Sequence, residues 1–136
     1  MNAVLVVMKS VPLLCFAVIA YFLVAMGGVE KLDGSLMSIT LASRAPWKLL
    51  TKDFIAIFGL TLLFIEILKS TRTSVASIID HALSLVLFTG GIILFVISPK
   101  AGTSTFFILI MMSLIDVIAG FTITISGTRR DISVEK

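Results

Sequence analysis

The stretch STFFILIMMSLIDVIAGFTITIS, residues 104–126, decides how this chain is read. It is long and apolar enough for a helix to cross the roughly 30 Å hydrocarbon core of a bilayer, yet it carries one carboxylate near its middle. Asp116 lies about 18 Å of helix from one end and about 15 Å from the other. Nothing close to it in sequence can neutralise it. An acid at that depth costs roughly 2.5 to 3.5 kcal/mol on insertion scales, so it should face protein or a water-filled cavity and find a partner there.

The rest of the chain suits the same solvent. Of 136 residues, 58% are hydrophobic and 14% charged, and the mean hydropathy is +1.15. A soluble domain carries about a quarter charged residues. Residues 75–97 form another apolar run, with Asp80 and His81 in its second turn; Pro99, which lacks a backbone N–H, stops it. Residues 49–69 reach the roughly 20 residues of a span when Leu49 and Leu50 are counted, and carry Glu66 and Lys69 near their end.

The first run, residues 9–27, starts at Lys9 and ends at Ala25-Met26-Gly27, a pattern that mimics a signal peptide and its cleavage site. Its apolar stretch exceeds the usual length of about 7 to 15 residues, so it is read as a span. Pro12-Leu13-Leu14 before Cys15 lacks the small residues of a lipoprotein processing site, and a lone cysteine forms no internal disulfide.

These runs predict an all-α membrane protein, a four-helix bundle in one domain covering 1–136, with a loop at 28–48, a hydrophilic tail at 128–136 and both termini on one side. That side carries Lys9, Lys69, Arg72, Arg129, Arg130 and Lys136, six basic residues, against five on the other, Lys31, Arg44, Lys48, Lys52 and Lys100. The bias is small, but Lys69 with Arg72 and the pair Arg129-Arg130 sit hard against spans, which points to cytoplasmic termini.

Within the loop, Met37, Ile39 and Leu41 alternate with Ser38 and Thr40, and Trp47 and Leu49 alternate with Lys48, around a turn-like stretch that includes Pro46. Period-two patterning on both sides of a turn suggests a hairpin on the membrane surface, with Trp47 at the interface. An irregular loop is the competing reading, because a lone two-stranded hairpin is marginal in water.

Polar and small residues gather on single helix faces. Ser77, Asp80, His81, Ser84 and Gly91 fall within a sector of roughly 100°, and Ser113, Asp116, Gly120, Thr124 and Gly127 within roughly 80°. Gly59, Glu66 and Ser70 align similarly, while Thr89, Gly90 and Thr122 lie off these faces. Gly59, Gly91, Ser113, Gly120 and Thr124 are therefore candidate packing positions, where small side chains let backbones approach in lipid.

The four-span layout would bring Glu66, Lys69, Asp80, His81 and Lys9 to one side, with Asp116 deeper and within reach of His81 or a lysine. One reading is a buried ion-pair network, in which removing a partner leaves a costly charge. The other is a proton or cation path, because intramembrane acids and histidine mark such paths.

Enzymatic readings find less support. With one histidine and one cysteine there is no His/Cys metal set, no cofactor motif is present, and Asp80 and His81, adjacent on a helix, point about 100° apart and cannot orient each other as a triad requires. The net charge of +3 is dispersed at span boundaries, which suits anionic lipid headgroups and not nucleic acid.

The segments LFIEILKSTRT (63–73), SIIDHALS (77–84) and LIDVIAGF (114–121) resemble a group of small four-span inner-membrane proteins of proteobacteria. The resemblance covers the second half of the chain. It implies a bacterial inner membrane and the four-span layout, and carries over no functional residues. The expectation is a non-enzymatic accessory or scaffolding protein, associating with itself or a larger membrane complex through its small-residue faces. The alternative is a small oligomeric proton- or cation-conducting transporter using Asp116, His81, Asp80 and Glu66.

Overall fold

The computed structural model describes Ala3, residues 9–72 and residues 75–134. Lys136, which enters the charge comparison, most of the apolar segment 1–8, and Thr73 and Ser74 lie outside the described residues. The chain runs through α1 (Leu14–Met26), a 3-10 turn (Val29–Asp33), β1 (Ser35–Thr40), β2 (Pro46–Leu50), α2 (Thr51–Ser70), α3 (Val75–Ile97) and α4 (Ser104–Val134). It is mostly helical, with a two-stranded sheet beside the helices. Among the described residues, two helices, α3 and α4, are long and apolar enough to cross a membrane.

Pro12 shapes the start of the first run. It has no N–H to give a helix and disfavours helical geometry in the residue before it. Lys9 is helical, but residues 10–13 are not, so the helix of this run begins at Leu14, and α1 is 13 residues, about 20 Å. Its buried residues Leu14, Ala17, Tyr21 and Ala25 recur every three or four positions, so one stripe packs inward. Gly28, at φ 122°, turns the chain away after α1, a conformation open to glycine.

The loop contains the hairpin. Strands β1 and β2 pair antiparallel, with Ile39 opposite Trp47 and Met37 opposite Leu49. Leu41 and Ala45 close the turn through a 3.0 Å backbone hydrogen bond, and Arg44 takes the left-handed conformation there. The hairpin's base is tied to the start of α2: Thr51 donates both its N–H (2.8 Å) and its hydroxyl (3.1 Å) to the Gly34 carbonyl, and Lys52 pairs with Asp33 at 2.6 Å. These tethers supply what an isolated hairpin lacks. Leu49 and Leu50 belong to β2, so helix α2 starts at Thr51, where Asp53 accepts the Leu50 N–H (3.1 Å) as half of a capping box.

Helix α4 also departs from expectation. Gly127 does not end it; the helix continues to Val134 and is 31 residues long, about 46 Å. A helical glycine costs only about 1 kcal/mol relative to alanine. The hydrophilic residues 128–134 thus prolong the helix and do not form an irregular tail.

Helix α4 packs against α1, α2 and α3, and α1 packs against α2. On α2 the buried positions Ile55, Gly59, Leu63, Glu66 and Ser70 form one stripe. At one end, the Tyr21 hydroxyl donates to the Lys100 carbonyl (2.7 Å) and hydrogen-bonds Thr103 (2.6 Å). The Thr103 hydroxyl in turn accepts the Phe106 N–H and caps α4. Tyr21, Phe22 and Phe106 stack around this point with ring centres 5.1 to 5.4 Å apart.

Candidate functional site

At the opposite end, Pro12 leaves the Leu13 N–H and the Val11 carbonyl outside any helix, and α2 brings charged side chains to them. Glu66, fully buried, accepts the Leu13 N–H at 2.7 Å through Oε2. Its Oε1 meets the Lys69 ammonium at 2.7 Å. Lys69 also lies 3.1 Å from Asp80 Oδ2 on α3 and 3.5 Å from the Val11 carbonyl. One lysine therefore holds the entry to α1, its own helix and α3 together. These groups are more deeply buried than their closeness to helix ends suggests: Glu66 and His81 are 0% exposed and Asp80 1%.

Asp80 and His81 diverge as neighbours on a helix must. Asp80 faces Lys69, whereas the His81 ring lies against Gly120 and Phe121 of α4 and shares a 3.1 Å hydrogen bond with the Ser77 hydroxyl. A Cβ at Gly120 would clash with the Nδ1, Cε1 and Cγ atoms of the His81 ring, so the ring would have to shift to admit any larger residue. One turn deeper, the Ser84 hydroxyl donates to Asp116 Oδ2 at 2.6 Å, and Ser113 donates to the Ser84 carbonyl at 3.3 Å. Asp116 is 1% exposed. Its expected partner, His81 or a lysine, is not in ion-pair contact with it among the described residues; a serine serves instead. Lys9 stands exposed at the rim of this end.

The result is a polar ladder. It runs from Lys69, Glu66 and Asp80, through Ser77 and His81, to Ser84, Asp116 and Ser113. Beyond Ser113 the buried residues of α4 are Met112, Ile110, Leu109 and Phe106, all apolar, followed by Thr105; the four apolar side chains stand between the ladder and the Tyr21 end. Within it, Asp80 Oδ1, His81 Nδ1 and Asp116 Oδ1 are buried without a hydrogen-bond partner among the described residues. No group of three His, Cys, Asp or Glu side chains placed to hold a metal is found there.

The small-residue positions are used mostly within the chain. A Cβ at Gly59 would press on Leu109, Met112 and Ala17, and one at Gly91 on Ile110. Ser113 is buried, and Thr124, half-buried, bonds back to the Gly120 carbonyl of its own helix. Gly90, off the polar face in the sequence, has open space around it. It borders a groove of about 260 Å³ between α1 and α3, lined by Val18, Leu94 and Phe106.

Sequence reasoning did not find the backbone partners Val11 and Leu13, nor Tyr21 with Thr103. The signals for them were present: a proline that frees neighbouring backbone groups, and a threonine directly before a long apolar run. No family model, curated protein or solved structure matches the chain.

Proposed function

We propose that this chain is a four-span integral protein of the bacterial inner membrane with cytoplasmic termini, a non-enzymatic accessory or scaffolding protein that assembles with itself or with a larger membrane complex. The observation that carries the reading is α3. Its buried residues are Ser77, Asp80, His81 and Ser84, while Val75, Ile78, Val86, Ile93, Val96 and Ile97 are exposed. In water that arrangement exposes the wrong face; in lipid, apolar side chains belong outside and ionisable ones turn toward the bundle interior.

Four passes are supported by the way α1 and α2 run between the same two ends as α3 and α4. Leu13 meets Glu66 at one end, and Tyr21 meets Lys100 and Thr103 at the other. Lys69 with Arg72 and Arg129 with Arg130 favour the cytoplasm for the Glu66 end.

Association is drawn to the seam between α1 and α3, since Gly59, Gly91 and Gly120 already serve packing inside the chain. Gly90 leaves a bare backbone there, the kind of surface that permits close helix approach in lipid. Light scattering of the full chain in neutral detergent tests this. The wild type should be larger than a monomer and Gly90→Leu, which has room for its side chain, should be a folded monomer. A wild type that is monomeric and free of companions at every concentration would overturn the reading.

A second reading, a small proton- or cation-conducting transporter, is favoured by the unpartnered buried atoms Asp116 Oδ1 and His81 Nδ1. Against it stands the apolar closure at Ile110, Leu109 and Phe106.

A further inference from the structure

We propose that the cleft beside Lys69 binds the phosphate of an anionic phospholipid headgroup. The cleft has a volume of about 460 Å³; Lys9, Lys69 and Arg72 supply its positive charge, Asp80 a carboxylate held by Lys69, and Val11, Leu13 and Ala76 its apolar walls. Lys69 is committed to Glu66 and Asp80. Lys9 and Arg72 are exposed and make no ion pair among the described residues. Three cations against two carboxylates leave one formal positive charge at the mouth.

Charge at the rim and apolar walls below match an amphiphile. The volume lies within the range of roughly 300 to 1,000 Å³ that holds small ligands, enough for a glycerophosphate group but not for two acyl chains. Those would leave over Val75 and Ile79, exposed on α3 next to the cleft. Basic pockets between spans on the cytoplasmic side are where anionic headgroups bind, so the inference rests on the membrane reading above.

The test is native mass spectrometry of the full chain in neutral detergent, titrated with phosphatidylglycerol or phosphatidylcholine, with millimolar inorganic phosphate as a separate competitor. Phosphatidylglycerol should bind more tightly than phosphatidylcholine. Lys9→Gln and Arg72→Gln should each weaken it about five-fold, the scale on which one lysine or arginine attracts an anionic surface. Both positions are exposed, so the variants should melt with the wild type. Equal retention of the two lipids, or variants that keep phosphatidylglycerol, would overturn the proposal. Displacement by inorganic phosphate would overturn the lipid source in favour of free phosphate. Native mass spectrometry resolves lipid bound to monomer from lipid bound to oligomer, so the outcome is independent of whether the chain self-associates.

Discussion

The Lys69 ammonium on α2 lies 3.1 Å from the Asp80 carboxylate on α3 while also holding Glu66 at 2.7 Å, so one cation compensates two almost fully buried acids. Burying a charge is costly, and the cost is recovered only through partners of good geometry. Lys69→Met should therefore destabilise by about 3 kcal/mol, the lower end for a broken buried pair because the lysine is partly exposed. The triple variant Lys69→Met, Glu66→Gln, Asp80→Asn should recover most of the loss. Thermal unfolding in neutral detergent measures both; a triple variant no better than the single one would show that the charges do more than compensate each other.

Gly120 and His81 form a second tie, one of shape. Gly120→Ala puts a methyl group into the space of the imidazole and should cost about 1 to 3 kcal/mol, as overpacking does. Gly90→Ala, with open space, should be neutral or slightly stabilising. Adding His81→Ala should relieve Gly120→Ala, and the double-mutant cycle reads out the coupling.

Ser84 gives Asp116 its one hydrogen bond among the described residues. Ser84→Ala should cost about 1 to 3 kcal/mol, the penalty for leaving a buried acceptor unpaired. Combined with Asp116→Leu, which removes the acceptor as well, the loss should shrink. The same unfolding assay decides it.

Tyr21→Phe removes the hydroxyl that ties α1 to the turn between α3 and α4. The expected loss is about 1 to 2 kcal/mol for two hydrogen bonds. Cleavage by trypsin after Lys100 should quicken, since that carbonyl is no longer held. Unchanged cleavage would mean that the aromatic stacking alone fixes the turn.

The parts of this fold legible in the sequence were those set by local chemistry. The bounds 75–97 coincide with α3 because Pro99 ends the run, and the polar sector Ser77, Asp80, His81, Ser84 is the buried face of that helix. What could not be read depended on contacts distant in sequence. Whether residues 35–50 paired as strands was settled by Thr51 bonding Gly34 and Lys52 pairing with Asp33. The start of α1 moved because Glu66, 53 positions away from Leu13, takes up the N–H that Pro12 leaves outside the helix. Gly127 looked like a stop because a helix's tolerance of one glycine depends on what surrounds it. Asp116 was found at once by its depth, but its serine partner was one of several polar residues on the facing helix.

We propose that the ladder from Lys69 to Asp116 holds the helices together and, with Ile110, Leu109 and Phe106 beyond it, serves no ion path. The most direct test is proton and monovalent-cation flux in proteoliposomes, comparing the wild type with Asp116→Asn at matched incorporation and oligomeric state. The account predicts that neither exceeds protein-free liposomes. Flux through the wild type that Asp116→Asn abolishes would contradict it and make Asp116 a transport residue.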